Sequence, residues 1–236
     1  MKLSIIIPIR NEESLIEKIV NQLQSKLKNL SYEIIFINDF STDSTAKITK
    51  ELIKNKPQIN IYENERKGLG GAITQGINKS NGEAVCIMMS DLSDNINDLE
   101  KYYTILKNED FDAVFGSRFI KGSKVVDYPK RKLILNRIFN IITKLLFISD
   151  YNDFTNAFKI YKRNALLKTF PLVSESFNIF LELPLKIISR KMKYKIIPIS
   201  WINRKEGVSK FDIKELRAKY LFTLIYCLLE KLLLKK

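Results

Sequence analysis

Short apolar runs alternate with segments of helical periodicity along the first half of the chain. The runs at residues 3–8, 32–38, 84–89 and 111–115 predict buried strands, and residues 59–63 are a shorter candidate. Between these runs, apolar residues recur every three or four positions, as they do from Leu15 to Leu27. A chain that alternates strand and helix in this way predicts an α/β fold with a mostly parallel sheet and helices on both faces.

Polar residues come directly after two of these strands. Asp39 follows residues 32–38, and Asp91, Ser93 and Asp94 follow residues 84–89. Because ligands of open α/β sheets bind outside the carboxyl ends of the strands, these acids are well placed to hold a divalent cation and, through it, a diphosphate. The alternative is that Asp91 and Asp94 only cap the next helix, whose first turn would be residues 95–100.

Residues 67–76, KGLGGAITQG, contain four glycines at the start of a predicted helix. The glycines at 68, 70 and 71 allow the backbone to come close to a ligand or to a packed segment. Their spacing matches neither G-x-x-x-x-G-K-[ST] nor G-x-G-x-x-G. A phosphate loop and tight helix packing therefore both stay open for this segment.

The pattern changes after Arg118. Residues 121–132 are basic and contain Gly122 and Pro129, which predicts a loop, and residues 133–148 have a strongly apolar helical pattern. Residues 150–159, DYNDFTNAFK, are polar and turn-like. Helices near residues 165–170 and 179–190, followed by a strand at residues 195–201, complete the predicted globular part.

The last segment, residues 213–236, is helical in pattern and markedly apolar. Its longest uncharged run, residues 220–229, is about half of the roughly 20 residues that a membrane-spanning helix needs. The basic residues Lys231, Lys235 and Lys236 lie beside apolar ones, a combination that favours a helix in the headgroup interface of a membrane. The alternative is an ordinary helix that docks on the core or on a second subunit.

The positive charge of the chain belongs to its second half. Residues 1–120 hold 15 Lys and Arg against 17 Asp and Glu, whereas residues 121–236 hold 25 against 9. Such asymmetry indicates that the second half contacts an anionic partner, such as a membrane surface, a phosphorylated ligand or a nucleic acid. The basic residues are not interleaved with aromatic residues in a recognisable RNA or DNA motif, so we expect no nucleic acid.

The chain has no histidine and two cysteines, Cys86 and Cys227, both inside apolar segments. The absence of histidine excludes Ser-His and Cys-His catalysis and the usual zinc sites, and it leaves acid–base chemistry to carboxylates. The cysteines have neither metal-ligand spacing nor a disulfide framework, and no apolar signal segment precedes the first strand. We therefore expect a reduced, cytoplasmic setting.

Seven segments occur in this order along the chain: PIRNEE, NDFSTD, KGLGGAITQG, SDLSD, GSRF, DFTNAFK and RKEGVSKF. Together they resemble the family 2 inverting glycosyltransferases, in the polyprenyl (dolichyl) phosphate sugar synthase branch, and the match covers roughly residues 3–211. The resemblance implies a glycosyltransferase A-type, Rossmann-like fold and a divalent metal, Mg²⁺ or Mn²⁺. It also implies a nucleotide-sugar donor, GDP-mannose or a UDP-hexose, and transfer with inversion to a polyprenyl phosphate at the cytoplasmic face of the membrane.

The resemblance also assigns domains and site residues. It implies a glycosyltransferase domain at 1–211, with a nucleotide-binding half at 1–120 and an acceptor-side half at 121–211, followed by a C-terminal helix at 212–236. The implied nucleotide-binding residues are Pro8, Arg10, Glu12, Ile37, Asp39, Gly68 and Asp91, and the metal ligands are Asp91, Ser93 and Asp94. The implied acceptor-phosphate residues are Arg118, Arg131, Lys132, Arg204 and Lys210, with Arg131 as an alternative to Lys132, and the catalytic residues are Asp91, Arg118 and Asp153.

The chain departs from the family's D-x-D metal motif at its first acid, where Met89 stands. Asp94 is placed to compensate, and a lost carboxylate predicts weaker metal binding because it removes both a charge and a ligand. A phosphate acceptor is already ionised at neutral pH, so the missing histidine costs nothing. The resemblance places Asp153 at an acid of the family near the acceptor, where it would serve as a base if the acceptor were a sugar hydroxyl. The structural alternative is that Asp153 caps a helix or pairs with Arg163.

Three functions therefore remain open from the sequence. The first is sugar transfer to a polyprenyl phosphate, and the second is transfer to a sugar hydroxyl in polysaccharide or glycolipid assembly. The third is an anionic-surface binding module without catalysis. The sequence leaves the oligomeric state open.

Overall fold

The computed structural model describes residues 1–203 and 213–234, and the side chains of residues 213–217 lie outside that description. The strands are β1 (Leu3–Ile9), β2 (Tyr32–Asn38), β3 (Ile59–Glu63), β4 (Ala84–Ile87), β5 (Ala113–Ser117), β6 (Lys124–Val126), β7 (Lys159–Lys162), β8 (Tyr194–Pro198) and β9 (Ser200–Ile202). The helices are α1 (Ile16–Lys26), α2 (Thr45–Leu52), α3 (Leu69–Lys79), α4 (Ile96–Asn108), α5 (Lys130–Phe147), α6 (Arg163–Leu167), α7 (Ile179–Ser189) and α8 (Ile213–Leu233).

Seven strands form the main sheet in the order β3-β2-β1-β4-β7-β5-β8. β1 to β4 pair in parallel, as do β5 and β8, whereas β7 is antiparallel to both of its neighbours. The prediction of an α/β fold with a mostly parallel sheet is confirmed. The sequence pattern predicts no strand at β7, because four residues bounded by lysines give a weak apolar signal.

Apolar side chains cover both faces of the sheet. Ile5 and Ile7 of β1 pack on one face with residues of α1 and α4, while Ile6 packs on the other face with residues of α3 and α7. Successive side chains of a strand point to opposite faces, so a strand that is covered on both sides needs a continuous apolar run. This is why residues 5–9 of the first strand form a continuous apolar run instead of alternating with polar residues.

A second, two-stranded parallel sheet joins β6 to β9. The sequence analysis predicts one strand at residues 195–201, but the structure divides it into β8 in the main sheet and β9 in the small one. The end of β9 contacts a different segment on each side. The N–H of Ile202 donates to the Ser93 carbonyl, and the N–H of Asn203 donates to the Val126 carbonyl. The small sheet therefore connects the segment after β4 to the segment before α5.

The prediction of a loop at residues 121–132 is only partly correct. Residues 124–126 form β6, and α5 begins at Lys130, three residues earlier than its apolar pattern indicates. β6 is too short to give a period in the sequence and is ordered by its pairing with β9. Pro129 directly precedes α5 and lacks an N–H, which suits the start of a helix.

Helix α8 docks on α7 and α5 along one face. Thr223 is fully buried and accepts a hydrogen bond from Asn178 Nδ2 at 2.9 Å, and Cys227 lies in the core beneath it. At the far end, Lys231 Nζ donates to the Phe147 carbonyl at 2.6 Å. The docked alternative for the tail thus holds for one face of α8, and no helix in residues 1–203 and 213–234 is long and apolar enough to cross a membrane.

Candidate active site

The segments that follow β1 and β2 lie side by side at the carboxyl edge of the sheet. Asn11 Oδ1 accepts a hydrogen bond from the N–H of Thr42 at 2.8 Å, which ties the two loops together, and Glu12 lies in the first of them. Pro8 and Ile37 are register partners in β1 and β2, and both are buried. Their side chains belong to the core, so they shape this edge through the position of the backbone.

Asp39 is buried at this edge and is held from three sides. Its Oδ1 accepts hydrogen bonds from the N–H of Gly68 and from Asn64 Nδ2, both at 2.8 Å. Its Oδ2 lies 3.9 Å from Nη1 of Arg10, whose side chain is about half exposed. One carboxylate oxygen is therefore committed to the fold, and the other faces the exposed arginine.

The glycine-rich segment at the start of α3 packs against backbone. A Cβ on Gly70 would lie 1.9 Å from the carbonyl oxygen of Ser174, and a Cβ on Gly68, where φ is +112°, would lie 2.6 Å from that of Glu175. The N–H of Gly70 donates to the same Glu175 carbonyl at 3.0 Å. Of the two roles left open by the sequence, these contacts support tight packing for Gly70, while Gly68 also holds Asp39.

The segment after β4 presents Asp91 and Ser93 beside the same edge. Asp91 Oδ1 accepts hydrogen bonds from the N–H of Ser93 at 3.1 Å and from its hydroxyl at 2.5 Å. The following helix is capped by Asn95, whose side chain accepts from the N–H of Asn97 at 3.0 Å. The alternative in which Asp91 and Asp94 cap this helix is therefore wrong.

Asp94 is a buried carboxylate at the end of this segment. It is 8% exposed, and no hydrogen bond or ion pair to its carboxylate occurs in the described part of the chain. Burial, followed by the negative charge of Asp91, raises the pKa of Asp94 to about 7. The nearby charges of Arg118 and Lys159 act in the opposite direction, which places all these groups within electrostatic range of one another.

Arg118 follows β5 and forms a buried bidentate ion pair with Asp153. Nε and the backbone N–H of Arg118 both donate to Asp153 Oδ2 at 2.8 Å, and Nη2 donates to Oδ1 at 2.6 Å. Although burial lowers the pKa of a guanidinium, the charge and hydrogen bonds of Asp153 outweigh it and raise the pKa of Arg118. The expected alternative pairing of Asp153 with Arg163 is wrong, because Arg163 Nε donates to the Ser80 carbonyl instead.

Three aromatic rings surround the Arg118 guanidinium. Its Cζ lies 5.3 Å from the ring centroid of Phe119, 5.6 Å from that of Tyr128 and 5.7 Å from that of Trp201. Trp201 belongs to β9, and its backbone forms a bridge with Asp94. The site thus brings the segment after β4 and the segment after β5 together through one residue of the small sheet.

The other predicted acceptor-side residues lie at or beyond the start of α5. Arg131 is exposed in its first turn and Lys132 is half-buried beside it, whereas Arg204 and Lys210 lie outside the described residues. Arg137 is not among the residues predicted from the sequence, and its guanidinium lies 4.8 Å from the Phe119 ring. The signal for it in the sequence is a basic residue within the apolar helical pattern of residues 133–148.

Lys159 is a second residue that the sequence analysis does not assign. It is 1% exposed in β7, and its Nζ donates to the carbonyls of Phe154 at 3.2 Å and Phe180 at 3.4 Å, and also to that of Asn156. Burial lowers the pKa of Lys159 to about 7, although the charge of Asp153 acts to raise it. Lys159 therefore stabilises the turn at 153–158, because it donates hydrogen bonds to two of its carbonyls.

Comparison with known proteins identifies the family. Residues 4–170 match the model of glycosyl transferase family 2, which is more than two thirds of the chain. The chain belongs to glycosyl transferase family 2. The predicted family is confirmed, and the relatives described next support its polyprenyl phosphate sugar synthase branch.

Two relatives illustrate this branch. The chain is 28% identical over 216 residues to a dolichol-phosphate mannosyltransferase of Pyrococcus furiosus, covering 91% of this chain and 60% of that protein. It is 31% identical over 188 residues to a dolichyl-phosphate beta-glucosyltransferase of Dictyostelium discoideum, covering 72% of this chain and 56% of that one. The chain thus spans less than two thirds of the length of these relatives.

The fold also matches solved structures at low sequence identity. Glucosyl-3-phosphoglycerate synthase from Mycobacterium tuberculosis, solved with Mn²⁺, UDP and glucosyl-3-phosphoglycerate, superposes with a TM-score of 0.72 at 17% identity. The match covers 98% of this chain and 79% of that one. It confirms the predicted glycosyltransferase A-type fold.

The residues after β4 fit a divalent cation, with fewer acids than a typical site. No group of three or more His, Cys, Asp or Glu side chains is arranged around a metal in the described ranges 1–203 and 213–234, in keeping with Met89 at the first motif position. The burial of Asp94 near the negative charge of Asp91 nevertheless disfavours its ionised form, and a cation would relieve this. Two carboxylates and the Ser93 hydroxyl are the hard oxygen ligands that Mg²⁺ and Mn²⁺ accept.

Proposed function

We propose that this protein transfers a sugar, with inversion, from a nucleoside diphosphate sugar to a polyprenyl phosphate at the cytoplasmic face of a membrane. The relatives named above support the acceptor class, and the donor would be GDP-mannose or a UDP-hexose. Arg10, Glu12 and Asp39 would border the nucleotide, while Asp91, Ser93 and Asp94 would hold the cation. A bound cation supplies charge neutralisation of the leaving diphosphate.

The observation that carries the lipid acceptor is an exposed apolar face on α5 and α8. We call it the α5–α8 face. The two helices lie side by side, since the Phe139 and Tyr220 rings are 5.7 Å apart and Lys231 reaches Phe147. Its members are large apolar side chains that are about half exposed or more: Ile134, Leu135, Ile138, Ile141, Ile142, Leu145, Leu221, Phe222, Ile225, Leu229 and Leu232. An apolar face of this extent on a folded protein marks an interaction surface.

The charges around this face favour an anionic membrane. α5 contains five Lys and Arg residues and no Asp or Glu, so basic side chains flank its apolar stripe. Cations beside buried apolar area strengthen binding to the negative surface of a cytoplasmic leaflet by roughly 1 kcal/mol per residue. The expected interfacial role of the C-terminal helix therefore extends to α5, and we propose that both helices contact the lipid together.

The opposite side of α5 borders the candidate active site. Asn136 Oδ1 accepts from the Thr155 hydroxyl at 3.1 Å, and Asn140 Oδ1 accepts from the N–H of Phe154 at 2.6 Å. Thr155 in turn accepts a bond from Arg118 at 3.3 Å. Helix α5 thus presents the α5–α8 face on one side and contacts the Arg118 site on the other, so a lipid bound to that face would lie close to the arginine.

Charge stabilisation replaces a general base in this reaction. The acceptor phosphate is ionised at neutral pH, and Arg118 with Lys132 and Arg131 would hold it near the donor against electrostatic repulsion. Transfer to a sugar hydroxyl would instead need a base. Asp153 is fully buried and accepts three bonds from Arg118, which supports a role in positioning the arginine and gives the hydroxyl acceptor no support.

A transfer assay tests this function. Labelled GDP-mannose and UDP-glucose are each incubated with the full chain, Mn²⁺ or Mg²⁺, and farnesyl phosphate, farnesol or a simple glycoside. We expect an organic-soluble sugar product with farnesyl phosphate and a single donor, of inverted anomeric configuration by NMR. Product on the glycoside or on farnesol in preference to the phosphate would contradict the proposal, as would no product with any pair.

Vesicle binding tests the membrane surface. Leu145→Asp combined with Phe222→Asp places two charges on the α5–α8 face, and Leu167→Asp, at an exposed apolar residue on α6, is the matched control. We expect the double variant to lose at least about tenfold in affinity for phosphatidylglycerol vesicles while the control binds as the unmodified chain does. Equal binding of the double variant, or its loss of self-association without any change in vesicle binding, would assign the face to another partner.

A further inference from the structure

The aromatic pair Tyr128 and Trp201 lies over Arg118 and has no role in the function proposed so far. The two ring centroids are 5.0 Å apart with an interplanar angle of 42°, and each ring lies within 6 Å of the Arg118 guanidinium. A cation at this distance from an aromatic ring is attracted by the ring quadrupole, most strongly for tryptophan and in a desolvated setting. The pair therefore restrains the plane of the guanidinium.

The hydrogen bonds of Arg118 determine which part of it is left for a ligand. Nε and Nη2 are committed to Asp153 and Thr155, and no hydrogen bond of the described residues uses Nη1. Arg118 is 8% exposed, so water reaches only a small part of its surface. An anion that binds Arg118 would contact Nη1. The rings that lie over the guanidinium set the direction in which Nη1 points.

The two aromatic residues are themselves fixed from opposite sides of the site. Tyr128 accepts a hydrogen bond at its hydroxyl from Asn136 Nδ2 of α5 at 2.8 Å. Trp201 is held in β9, which pairs with Val125 on one side and forms the bridge with Asp94 on the other. The ring pair thus joins the helix that borders the lipid to the segment that would hold the cation.

We propose that Tyr128 and Trp201 are positioning residues that orient Arg118 toward the phosphate of the acceptor. The proposal rests on the function proposed above, because it takes the ligand of Arg118 to be a prenyl phosphate. Trp201 acts through Arg118 and does not touch the reacting atoms. Its removal should therefore weaken acceptor binding while leaving the nucleotide site unchanged.

Steady-state kinetics with the full chain separate positioning from folding. Trp201→Leu removes the ring, Trp201→Phe keeps an aromatic face, and Phe111→Leu removes a comparable cation–ring contact, Lys195 at 5.6 Å, at the opposite end of β5. We expect Trp201→Leu to raise KM for farnesyl phosphate about tenfold, or about 1.4 kcal/mol, with donor KM changed less than about twofold. Trp201→Phe should recover most of the loss, and Phe111→Leu should leave both KM values unchanged.

Two kinetic outcomes would overturn the proposal. One is an unchanged acceptor KM in Trp201→Leu. The other is a parallel rise of both KM values together with a lower melting temperature, which is what a purely structural role would give. If the unmodified chain transfers no sugar to any prenyl phosphate, the proposed function fails, and the binding measurement described next decides the role of the ring pair without turnover.

The chain contains one tryptophan, so its fluorescence reports on this position alone. We expect a saturable change in emission on titration with farnesyl phosphate and none with farnesol, which lacks the anion. The change should be weakened in Tyr128→Leu, which removes the partner ring. A flat titration with farnesyl phosphate, or equal changes with phosphate and alcohol, would contradict binding of the anion to Arg118, whose guanidinium lies 5.7 Å from the Trp201 ring.

Discussion

At the scale of single residues, the buried Arg118–Asp153 ion pair fixes the position of the arginine that we propose binds the acceptor. Its side chains are 7% and 0% exposed, so both charges leave water and depend on each other. Desolvation of two ions costs several kcal/mol, and only the bidentate geometry with the additional backbone bond offsets it. Removing the charge of one partner therefore leaves the other charge buried and uncompensated.

Asp153→Asn should lower both stability and turnover without changing the pH dependence of the reaction. We expect the free energy of unfolding to fall by about 3 kcal/mol, because Arg118 keeps its charge and loses its partner. Asp150→Asn, at an exposed acid in the same segment, is the control and should be neutral. Urea denaturation and a pH–rate profile measure these effects, and loss of one limb of the profile in Asp153→Asn would instead identify a base.

Because Lys159 is buried, its contribution to the free energy of unfolding should rise as pH increases above 7. Its pKa is about 7 in the folded protein against about 10.5 in an unfolded chain, so the unfolded state binds more protons between these values. The free-energy cost of burying the charged lysine is fully present below pH 7, and it falls as pH rises and the lysine loses its proton. Denaturant titrations should show this part of the free energy of unfolding rising by about 2 kcal/mol from pH 7 to 9, and Lys159→Met should abolish that rise.

The start of α3 shows how an element depends on the absence of side chains. Gly70 lies against the carbonyl of Ser174, which is backbone and has little freedom to move. The helix can dock on the segment before α7 only while this position has no Cβ. The docking of α3 also affects the carboxyl edge of the sheet, because the nearby Gly68 donates a hydrogen bond to Asp39.

Gly70→Ala should therefore destabilise the protein despite the higher helix propensity of alanine. We expect a loss of about 2 kcal/mol or more, since backbone must shift to remove the overlap. Asn78→Ala, at an exposed position of the same helix, should be neutral or slightly stabilising. Thermal unfolding of both variants measures the difference, and equal stabilities would show that the segment around Ser174 yields easily.

Buried parallel strands were predictable, and elements ordered by their neighbours were not. β1, β2 and β4 need apolar residues on both faces, which leaves a continuous run in the sequence. β6 and β9 have three residues each and depend on mutual pairing, and β7 begins with a buried lysine that reads as polar. Such elements are determined by tertiary contacts that no local pattern records.

In the candidate site, too, some residues were predictable from a local pattern, whereas others depend on tertiary contacts. Asp39, Asp91 and Asp94 were predictable because strand ends place polar residues at one edge of the sheet. The pairing of Arg118 with Asp153 joins residues 35 positions apart, and the ring of Trp201 reaches Arg118 from another sheet. Spacing along the chain cannot reveal partners that only the fold brings together.

At the scale of the whole molecule, the two halves of the chain differ in charge. The first half carries the acids at the ends of β2 and β4, and the second half carries most of the positive charge and the α5–α8 face. We propose that a cation on the acidic side binds the donor diphosphate while the basic side receives a lipid phosphate. Two anions would then meet where fixed charges compensate both.

Binding of nucleoside diphosphates tests this division most directly. A thermal-shift titration compares GDP and UDP, with Mn²⁺, with Mg²⁺ and with EDTA, in the unmodified chain and in Asp91→Asn, with Asp110→Asn as the exposed-acid control. We predict that one nucleotide raises the melting temperature only when the metal is present, and that Asp91→Asn loses this shift while Asp110→Asn keeps it. Stabilisation that is equal in EDTA, or unchanged in Asp91→Asn, would contradict a cation at this site.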